Sequence, residues 1–441
     1  MYSTSTVDLK VYSAEQFKES IAANNQIYFA YGKVDNWTNE PIPDAANSSV
    51  STSYEFWKNM IGAKRITEGD VRHVCPRFDW TSNTVYVAYD HLDPTLYNAG
   101  VNFYVMNSQY NVYKCINNAN NSPSTFEPLT VSTNTVIQTA DGYVWKYMYN
   151  VNTYERQRFM TAGFIPVKTI TSDNGTNQWA VQQSAIDGAI HSIIVTNGGN
   201  NYTNVSNLVV SIRGQVGEGA GATAVATINS ATNTVNSIYI TSVGSGYTEA
   251  EVVILGGGGY GAKARAIISP KGGHGSNPLY ELGGKYIIVN PRLINTQSGL
   301  LPATNDYRQV AMISNPLMHN DTNVSSNLVI SQTTDISLVG TSTDYIQDEW
   351  VYQGRSFAEA TFKGKVVEWN SANGLLKLIN VYGDPGSEGL LGSNSFSSRF
   401  VSSVKYPDLE PYSGSFIYIN NITPITRNSM QTEDFKIIIK F

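Results

Sequence analysis

An internal repeat in the middle of the chain constrains the fold more than any other feature of the sequence. Residues 192–203, SIIVTNGGNNYT, align with residues 237–248, SIYITSVGSGYT. Each copy continues through a strand-like segment and a glycine-containing turn into a similar ending, residues 221–228 in the first copy and 261–268 in the second. Two similar three-stranded units bury their apolar faces against each other more readily than either folds alone. The sequence therefore predicts a β unit built from two copies.

The composition of the 441-residue chain also favours strands over helices. Hydrophobic residues make up 41% of it, with 28 Tyr, 15 Phe and 7 Trp, and much of the rest is Asn, Ser, Thr and Gly. Aromatic residues are enriched in strands, whereas Asn, Ser and Gly are typical of tight turns. We expect a mainly β fold with a few short helices, in which a discontinuous β-sandwich or barrel core carries two inserted small β modules.

The boundaries of the two inserted modules follow from the repeat and from a second compact segment. The repeat block covers residues 187–271. The second module, a small β-barrel or meander, is placed at residues 341–405, because strand-like stretches at 364–369 and 375–381 are joined by a turn that ends in Asn-Gly, a strong hairpin signal. The core is then expected to comprise residues 1–186, 272–340 and 406–441.

Two short helices and a terminal strand are expected within that core. The first helix is predicted to begin at a capping box on Ser13, and the second to run from Thr52 to Gly62. The chain ends in Phe435–Phe441, whose alternation gives one fully apolar face. We expect this strand to pair within a sheet contributed by the amino-terminal half of the chain.

The charge balance argues against polyanionic partners. Lys and Arg number 29 against 35 Asp and Glu, the formal net charge is −6, and only 15% of residues are charged. Such a chain lacks the basic footprint that binds nucleic acids or anionic membranes. No apolar run approaches the ~18 residues of a membrane-spanning helix, and no basic-then-apolar secretion signal opens the sequence. We expect neither nucleic acid nor membrane among its partners.

Metal and cofactor motifs are weak or missing in the sequence. Cys75 and Cys115 have no CxxC spacing, and the five histidines lack the spacing of metal ligands. Gly256, Gly258 and Gly261 match G-x-G-x-x-G, but the segment that follows alternates like a strand, whereas a dinucleotide site needs a helix there. We therefore expect no metal and no cofactor, and we expect these glycines to supply positive φ in tight turns.

Catalysis has few candidate residues in this sequence. Glycoside hydrolysis needs two carboxylates roughly 5 to 10 Å apart. The acidic candidates, Asp348, Glu349, Asp384 and Glu388, fall in segments that read as turns, where acidic side chains usually serve as solvated caps. No sequence motif of a serine hydrolase, a zinc protease or a P-loop enzyme is present. We expect a protein that is not an enzyme.

One strand-like segment carries an unusual number of aromatic residues. Alternation from Tyr143 to Tyr149 puts Tyr143, Trp145, Tyr147 and Tyr149 on one face. Such a face can stack sugars or bases, or it can pack in a core or a subunit interface. We favour the core or interface, because the interleaved basic residues of a nucleic-acid site are missing.

Several segments resemble a known family when they are taken together and in order. They are residues 27–38, 54–62, 76–80, 112–116, 141–148, 307–317, 413–421 and 431–434. Their order and composition resemble the baseplate wedge subunit, the product of gene eight, of T-even-like contractile-tailed bacteriophages. The residues that carry the resemblance, with a structural or interface role left unassigned, are Trp37, Arg77, Asp79, Trp80, Asp141, Gly142, Trp145, Arg308, Asn315, Pro316, Leu317, Gln431 and Glu433.

The resemblance implies a structural role in a virion. A member of this family is a homodimer that joins other baseplate wedge subunits in the assembly that triggers contraction of the tail sheath. The expected location is then the tail baseplate of the virion, assembled in the cytoplasm of the host bacterium. The resemblance covers only the chain outside the two inserted modules, 187–271 and 341–405.

A second class of function stays open at this point. A phage carbohydrate-binding or depolymerase protein that acts on host-surface glycans would also use aromatic strands and β repeats. A pair of catalytic carboxylates in a groove would favour that alternative.

Overall fold

A computed structural model describes residues 6–23, 25–303 and 305–441. The protein is mainly β, with 40% of residues in strands and 12% in helices, and this confirms the expected fold class. Two closed six-stranded barrels and several open sheets account for the strands.

The helices and strands are short and are distributed along the whole described chain. The helices are α1 Val7–Ala23, α2 Val50–Asn59, α3 Thr153–Phe159, α4 Asn177–Gln183 and α5 Pro278–Glu281. The strands are β1 Ile27–Gly32, β2 Met60–Arg65, β3 Val71–Pro76, β4 Tyr104–Met106, β5 Asn111–Asn117, β6 Ile137–Gln138, β7 Val144–Asn150, β8 Phe164–Pro166, β9 Ile190–Asn197, β10 Val209–Gly214, β11 Ala220–Asn229, β12 Thr234–Ser245, β13 Ala250–Leu255, β14 Lys263–Ile268, β15 Tyr286–Val289, β16 Arg292–Ile294, β17 Asp306–Ser314, β18 Val329–Ser331, β19 Thr334–Val339, β20 Trp350–Gln353, β21 Phe362–Asn370, β22 Leu375–Tyr382, β23 Gly389–Gly392, β24 Ser398–Lys405, β25 Ser415–Thr426, β26 Thr432–Asp434 and β27 Ile437–Lys440.

The chain divides into two compact units, each built from separate stretches of sequence. The first unit contains the described residues up to Glu15 together with 72–288 and 438–441. The second contains the described residues of 16–71 and 289–437. The segments that were expected to form one discontinuous core therefore contribute to both units.

In the first unit, the repeat block forms a closed barrel with the strand order β10-β11-β12-β9-β14-β13. The first copy supplies β9 to β11 and the second supplies β12 to β14. The first strand of each copy pairs with the last strand of the other, β9 with β14 and β12 with β11. The barrel therefore closes only through an exchange of strands between the copies.

Equivalent glycines mark the same corner in both copies of this barrel. Gly199 and Gly244 have φ values of 65° and 61°. A Cβ on either glycine would lie 2.8 Å from the tyrosine ring packed beside it, Tyr202 for the first and Tyr247 for the second. Only glycine permits this backbone conformation and this close approach together.

The glycine motif of the second copy forms turns, as expected. Gly256, Gly258 and Gly261 all have positive φ, between 78° and 81°. The strand β14 follows them, at the place where a dinucleotide site would have a helix. This geometry does not provide the phosphate cradle of a dinucleotide site.

Two four-stranded sheets complete the first unit, with the orders β4-β5-β7-β6 and β27-β15-β3-β8. The terminal strand β27 lies at the edge of the second sheet, beside β15. The chain end is therefore part of a sheet, as expected, but its direct neighbour is residues 286–289. The amino-terminal half contributes the more distant strands β3 and β8, because β15 intervenes.

The aromatic face of β7 is part of the hydrophobic core. Tyr143, Trp145, Tyr147 and Tyr149 are at most 4% exposed. The ring of Trp145 stacks on that of Tyr143 at 5.4 Å between centroids, with 16° between the planes. The interpretation of this aromatic face as core is therefore correct.

The second unit contains a five-stranded sheet in the order β18-β2-β1-β17-β25, a closed barrel in the order β19-β22-β21-β20-β23-β24, and the pair β16-β26. The predicted hairpin is present as β21 and β22, in which Asn370 pairs with Leu375. The barrel begins at Thr334, before the expected module start at residue 341, because β19 closes it between β22 and β24.

Both predicted helices begin earlier than the sequence signals indicated. Thr6 caps α1, since its hydroxyl accepts a hydrogen bond from the Leu9 N–H at 3.2 Å, so the Ser13 box is wrong. Ser13 lies inside the helix and donates its hydroxyl to the Leu9 carbonyl. Ser49 caps α2 through the Thr52 N–H, and that helix ends at Asn59 because β2 begins directly after it.

Candidate functional site

The strand β25 lies at an edge of the five-stranded sheet of the second unit, beside a groove. It spans Ser415–Thr426 with the sequence SFIYINNITPIT, and it contains no charged residue. Among the described strands, it pairs only with β17. A long uncharged edge is a template for further strand pairing, and native proteins usually protect such edges.

An open groove of about 540 Å³ runs beside the first half of β25. One wall is formed by Phe416–Ile419 of the strand, and the other by residues 46–48 and Ser53 at the start of α2. Ile417, at the bulge in the β17 pairing, is 46% exposed. An extended segment fits such a groove by adding a strand to the sheet.

The second half of β25 is covered by the loop that follows β1. The indole N–H of Trp37 donates to the Ile422 carbonyl at 3.1 Å, and the Asn421 side chain donates to the Asp44 carbonyl at 2.8 Å. Lys33 lies over the Trp37 ring at 4.5 Å. Trp37, one of the residues that carry the family resemblance (the signature residues), therefore fixes the end of the open edge.

Arg308 of β17 holds the same loop from inside the second unit. Its guanidinium donates to the Val34 carbonyl at 2.7 Å, to Asn36 Oδ1 at 2.8 Å, and to the carboxylates of Asp306 and Glu40. Burial alone would lower the pKa of Arg308, but hydrogen bonds and charges from these two carboxylates outweigh burial and raise it. Arg308 therefore stays positively charged and holds in place the loop that covers the second half of β25.

Asn315, Pro316 and Leu317 follow the end of β17 and lie beside the start of β25, because Ser314 pairs with Ser415. Asn315, at a φ of 51°, exchanges backbone and side-chain hydrogen bonds with Gln26. The Pro316 carbonyl accepts from the backbone of Ser325, and the Leu317 N–H donates to Ser413 Oγ at 3.0 Å. These contacts fix where the edge strand begins.

Gln431 and Glu433 lie near the paired strands β16 and β26. The Gln431 carbonyl accepts from the Asn295 N–H at 2.8 Å. Glu433 is buried, and its Oε1 lies 3.3 Å from Nε of buried Arg427. Burial raises the pKa of Glu433, although Arg427 acts in the opposite direction. The Arg427 guanidinium also donates to Tyr31 and to the Asn295 carbonyl, so this pair ties three segments together.

Arg77, Asp79 and Trp80 lie together in the first unit, directly after β3. Arg77 Nε donates to both Asp79 oxygens, at 2.9 and 3.1 Å, and a second guanidinium nitrogen donates to the Thr161 carbonyl. The Trp80 indole donates to Ser124 Oγ at 3.2 Å. The guanidinium of Arg77 and the carboxylate of Asp79 are thus hydrogen-bonded to each other, which is typical of an ion pair with a structural role.

Asp141 organises the loop before β7. Its Oδ2 accepts from Ser124 Oγ and from the backbone of Thr125 and Phe126, at 2.8 to 3.0 Å. Burial alone would raise the pKa of Asp141, but these bonds and one from Thr139 outweigh burial and lower it. Gly142 follows at a φ of 87°, and Trp145 is fully buried. The signature residues therefore do not converge on one site; they fix loops and strand ends in both units.

The four acidic candidates do not converge on a groove with free carboxylates. The Glu349 carboxylate is buried and accepts from the backbone of Ile346, Asn394 and Ser395, so it holds the loop before β24. Asp348 has a pKa raised by partial burial. Asp384 and Glu388 are exposed, and Asp384 accepts from Tyr406 at 3.4 Å.

A buried cluster of ionisable residues in the first unit was missed by the sequence analysis. Lys114 donates to Glu281 Oε2 at 2.9 Å, and its Nζ lies 4.0 Å from the centre of the Tyr89 ring. The His274 ring lies 4.8 Å from that ring and 5.3 Å from the ring of His191.

Burial dominates the electrostatics of this cluster. It lowers the pKa of Lys114 against the opposing effect of Glu281, and it lowers the pKa of His274 well below its usual value, with Lys114 as the next cause. Burial likewise lowers the pKa of His191 to about 4. The histidines are neutral at pH 7. Lys114 and Glu281 are 167 residues apart in sequence, so no local sequence pattern predicts their contact.

Within residues 6–23, 25–303 and 305–441, no group of three His, Cys, Asp or Glu side chains is placed to hold a metal ion. No helix in these parts combines the length and apolarity needed to cross a bilayer. Cys75 and Cys115 are both buried free thiols. Neither protein-family models nor curated proteins give a match to the chain.

Proposed function

We propose that the protein is a structural component of a phage tail baseplate wedge that assembles as a homodimer through the open edge of β25. The observation that carries the proposal is the first half of β25, an edge segment without a charged residue that is bordered by an open groove. Its occupant is the same strand of a second copy. The protein acts through binding surfaces and performs no catalysis.

An antiparallel edge is self-complementary. A two-fold axis perpendicular to the sheet, beside the open first half of β25, places this segment antiparallel to its own copy, so its unpaired N–H groups meet carbonyls of the partner. A charged residue on such a strand would meet its own like charge near the axis, and β25 has none. The two five-stranded sheets would then form one continuous sheet.

The placement of the signature residues supports the same surface. Trp37 and Arg308 hold the loop that covers one end of β25, and Asn315 to Leu317 fix its other end. The resemblance to the wedge subunit includes residues 413–421, the first half of this strand. Residues that matter for a family of assembly proteins thus define the length of an exposed edge.

The wider assembly rests on the resemblance. In this proposal the dimer joins other wedge subunits in the tail baseplate that triggers sheath contraction, and it is assembled in the host bacterial cytoplasm. Neither nucleic acid nor a membrane is among its partners.

A charge placed in the groove tests the proposal. Ile417→Lys introduces a charge that repels its own copy across the axis, and lysine is a common guard of edge strands. Ile294→Lys is the matched control, because Ile294 is similarly exposed at 42% but lies on β16. Light scattering at micromolar concentration should give a dimer for the wild type and for the control, and a monomer for Ile417→Lys.

Two results would contradict this proposal at different levels. A monomeric wild type, or a dimer that Ile417→Lys leaves intact, removes β25 as the interface. Failure of the purified chain to bind co-expressed wedge subunits removes the assembly role even if the dimer forms.

A further inference from the structure

A groove of about 490 Å³ in the first unit lies between the repeat barrel and the sheet β4-β5-β7-β6. One wall consists of β9 and β12, and the other consists of β6, the start of β7 and the loop after β5. Its volume falls within the ~300–1,000 Å³ that is typical of small-molecule sites. The groove contains no residue of β25, so a ligand here is independent of the proposed assembly role.

Both copies of the repeat line the barrel wall of the groove at equivalent positions. These positions are His191, Ser192, Ile193 and Val195 in the first copy and Asn236, Ser237, Ile238 and Ile240 in the second. Ile193 pairs with Ile238, so the groove crosses the seam at which the two copies meet. The groove therefore depends on the closed barrel and is not a feature of a single copy.

A β-bulge in each copy supplies a polar residue to this wall. The pairing of β11 with β12 skips Asn236, and the pairing of β9 with β14 skips the equivalent His191. Bulges redirect a side chain out of the regular alternation of a strand, and they are common next to active sites. Both bulges thus contribute polar groups to the same groove.

Exposed side-chain amides border the groove on both walls. Asn236 belongs to the barrel wall, and Asn120 and Gln138 belong to the opposite wall. All three residues are exposed, and within the described part of the chain none of these amides takes part in a hydrogen bond. Each amide offers a donor and an acceptor in one planar group, which suits adjacent hydroxyls of a sugar ring.

Tyr239 of β12 adds an aromatic surface to the groove. Its side chain is 48% exposed, although it lies in the middle of a long paired strand. Aromatic surfaces pack against the C–H groups of a sugar ring, while a tyrosine hydroxyl stays available for a hydrogen bond. Tyr239 therefore complements the amides, since it can contact the apolar face of a sugar.

The two walls of the groove are connected by a hydrogen bond. The Asn117 side chain donates to Ser192 Oγ at 3.0 Å, which links the end of β5 to β9. On the sheet side, Gln138 pairs with Val144 in the ladder of β6 with β7. A groove that is formed before binding spares the ligand the cost of ordering it.

The electrostatics of the groove favour a neutral ligand. Among the described residues that line it, none is charged at pH 7, since burial lowers the pKa of His191 to about 4. Lys114 and Lys146 act on His191 but are buried, and Lys114 is paired with Glu281. A ligand in the groove therefore meets amides, hydroxyls and an aromatic ring, and no ion.

An extended peptide fits the groove less well than a sugar. The sheet edge in its wall, β6, is two residues long, so strand addition gains few backbone hydrogen bonds there. We propose that the groove binds a short neutral oligosaccharide, with Tyr239 packed on one sugar ring and the amides of Gln138 and Asn236 bonded to its hydroxyls.

Calorimetric titration of the full-length chain tests this site directly. The probes are maltotriose, mannotriose and triacetylchitotriose, with sialyllactose as the anionic comparison, each at up to tens of millimolar. Tyr239→Ala should weaken the best neutral sugar by about tenfold or more, because the aromatic contact is lost. Gln138→Ala should weaken it by about threefold, through the loss of a neutral hydrogen bond. Tyr260→Ala is the matched control and should leave binding unchanged, because Tyr260 is a 65% exposed tyrosine of the same barrel outside the groove.

The outcomes are separable from those of the assembly proposal. The saccharide site is overturned if none of the three neutral sugars binds, if sialyllactose binds more tightly than all of them, or if Tyr239→Ala weakens binding no more than Tyr260→Ala does. Both altered groove residues are exposed, so their variants should melt at the temperature of the wild type. Light scattering of the same samples reports the dimer separately.

Discussion

Ile193 and Ile238 occupy the same position in the two repeat copies, and they face each other directly in the antiparallel pairing of β9 with β12. An approximate two-fold axis therefore passes between them. The same symmetry relates Tyr202 to Tyr247, whose hydroxyls accept hydrogen bonds from the backbone of Ala262 and Ala222, at 3.4 and 3.1 Å. The two copies thus share contacts as well as sequence.

Gly244→Ala should destabilise the first barrel strongly. The residue has a φ of 61°, and a Cβ would lie 2.5 Å from the Ala222 nitrogen and 2.6 Å from the Ala220 carbonyl oxygen. We expect the free energy of unfolding in urea to fall by at least about 2 kcal/mol. Gly217→Ala is the control, because it shares the positive φ but has open space around it, and it should cost only about 1 kcal/mol. Equal losses in both variants would show that the close approach does not matter.

Tyr247→Phe should lower stability by about 1 to 2 kcal/mol. The change leaves the buried Ala222 N–H without the acceptor it has in the wild type. Tyr202→Phe should cost less, because the equivalent bond is longer. Tyr239→Phe, at an exposed tyrosine of β12, should change the midpoint of urea unfolding little. A neutral Tyr247→Phe would remove the assigned role of the hydroxyl.

The repeat barrel should be removable without unfolding the remainder of the first unit. Its ends are adjacent, because the Ser269 N–H donates to the Ala189 carbonyl at 2.9 Å. We expect a chain lacking 190–268, closed by a short Gly/Ser linker, to be soluble and to melt cooperatively. Its midpoint should be lower, since Ile267 leaves a hydrophobic core and Arg265 no longer pairs with Asp90. Insoluble protein, or loss of the cooperative calorimetric transition, would show that the barrel belongs to the main core.

Acid should destabilise the buried histidine cluster between about pH 6.5 and pH 4. Burial lowers the pKa of His191 to about 4 in the folded protein, so the unfolded chain binds this proton more readily. Stability is therefore complete above pH 6.5 and falls as the pH drops, by about 3 kcal/mol for this group.

The charges around His191 act against its protonation, because Lys146 and Lys114 both lower its pKa. The neighbouring His274 is kept neutral by burial and by the same two lysines, and Glu281 is paired with Lys114. His191→Gln should flatten the pH dependence of urea unfolding in this range, whereas His319→Gln in the second unit should keep it. An unchanged slope in His191→Gln would assign the acid sensitivity to other groups.

Much of the local structure was predictable, because it depends on neighbouring residues. The repeat, the hairpin around Asn373-Gly374 and the positive φ of Gly256, Gly258 and Gly261 all follow from short-range turn chemistry. Helix starts were less accurate, because Ser13 with Gln16 matches the capping-box pattern, whereas Thr6, the actual cap, has Leu9 in place of Glu or Gln three residues later.

The pairing of distant segments was not predictable from local pattern. The exchange of strands between the copies depends on which partner closes the barrel, and an alternating strand fits either arrangement. The ion pairs of Arg72 and Lys168 with Glu155 were not predictable for a similar reason, since the three residues come from separate segments. The open edge of β25 also depends on sheet order, which its own residues do not specify.

The strand exchange in the repeat barrel sets the order in which it can form during synthesis. The strand β9 is the first of the six to leave the ribosome, yet both of its neighbours, β12 and β14, are made later. It must wait until residue 268 has emerged before it is paired on both sides. The local hairpin of β11 and β12 forms first, because it closes the shortest loop. A ribosome that pauses before β14 is complete would therefore expose the apolar face of β9, and the nascent chain would be most vulnerable to chaperone capture or misassembly in that interval.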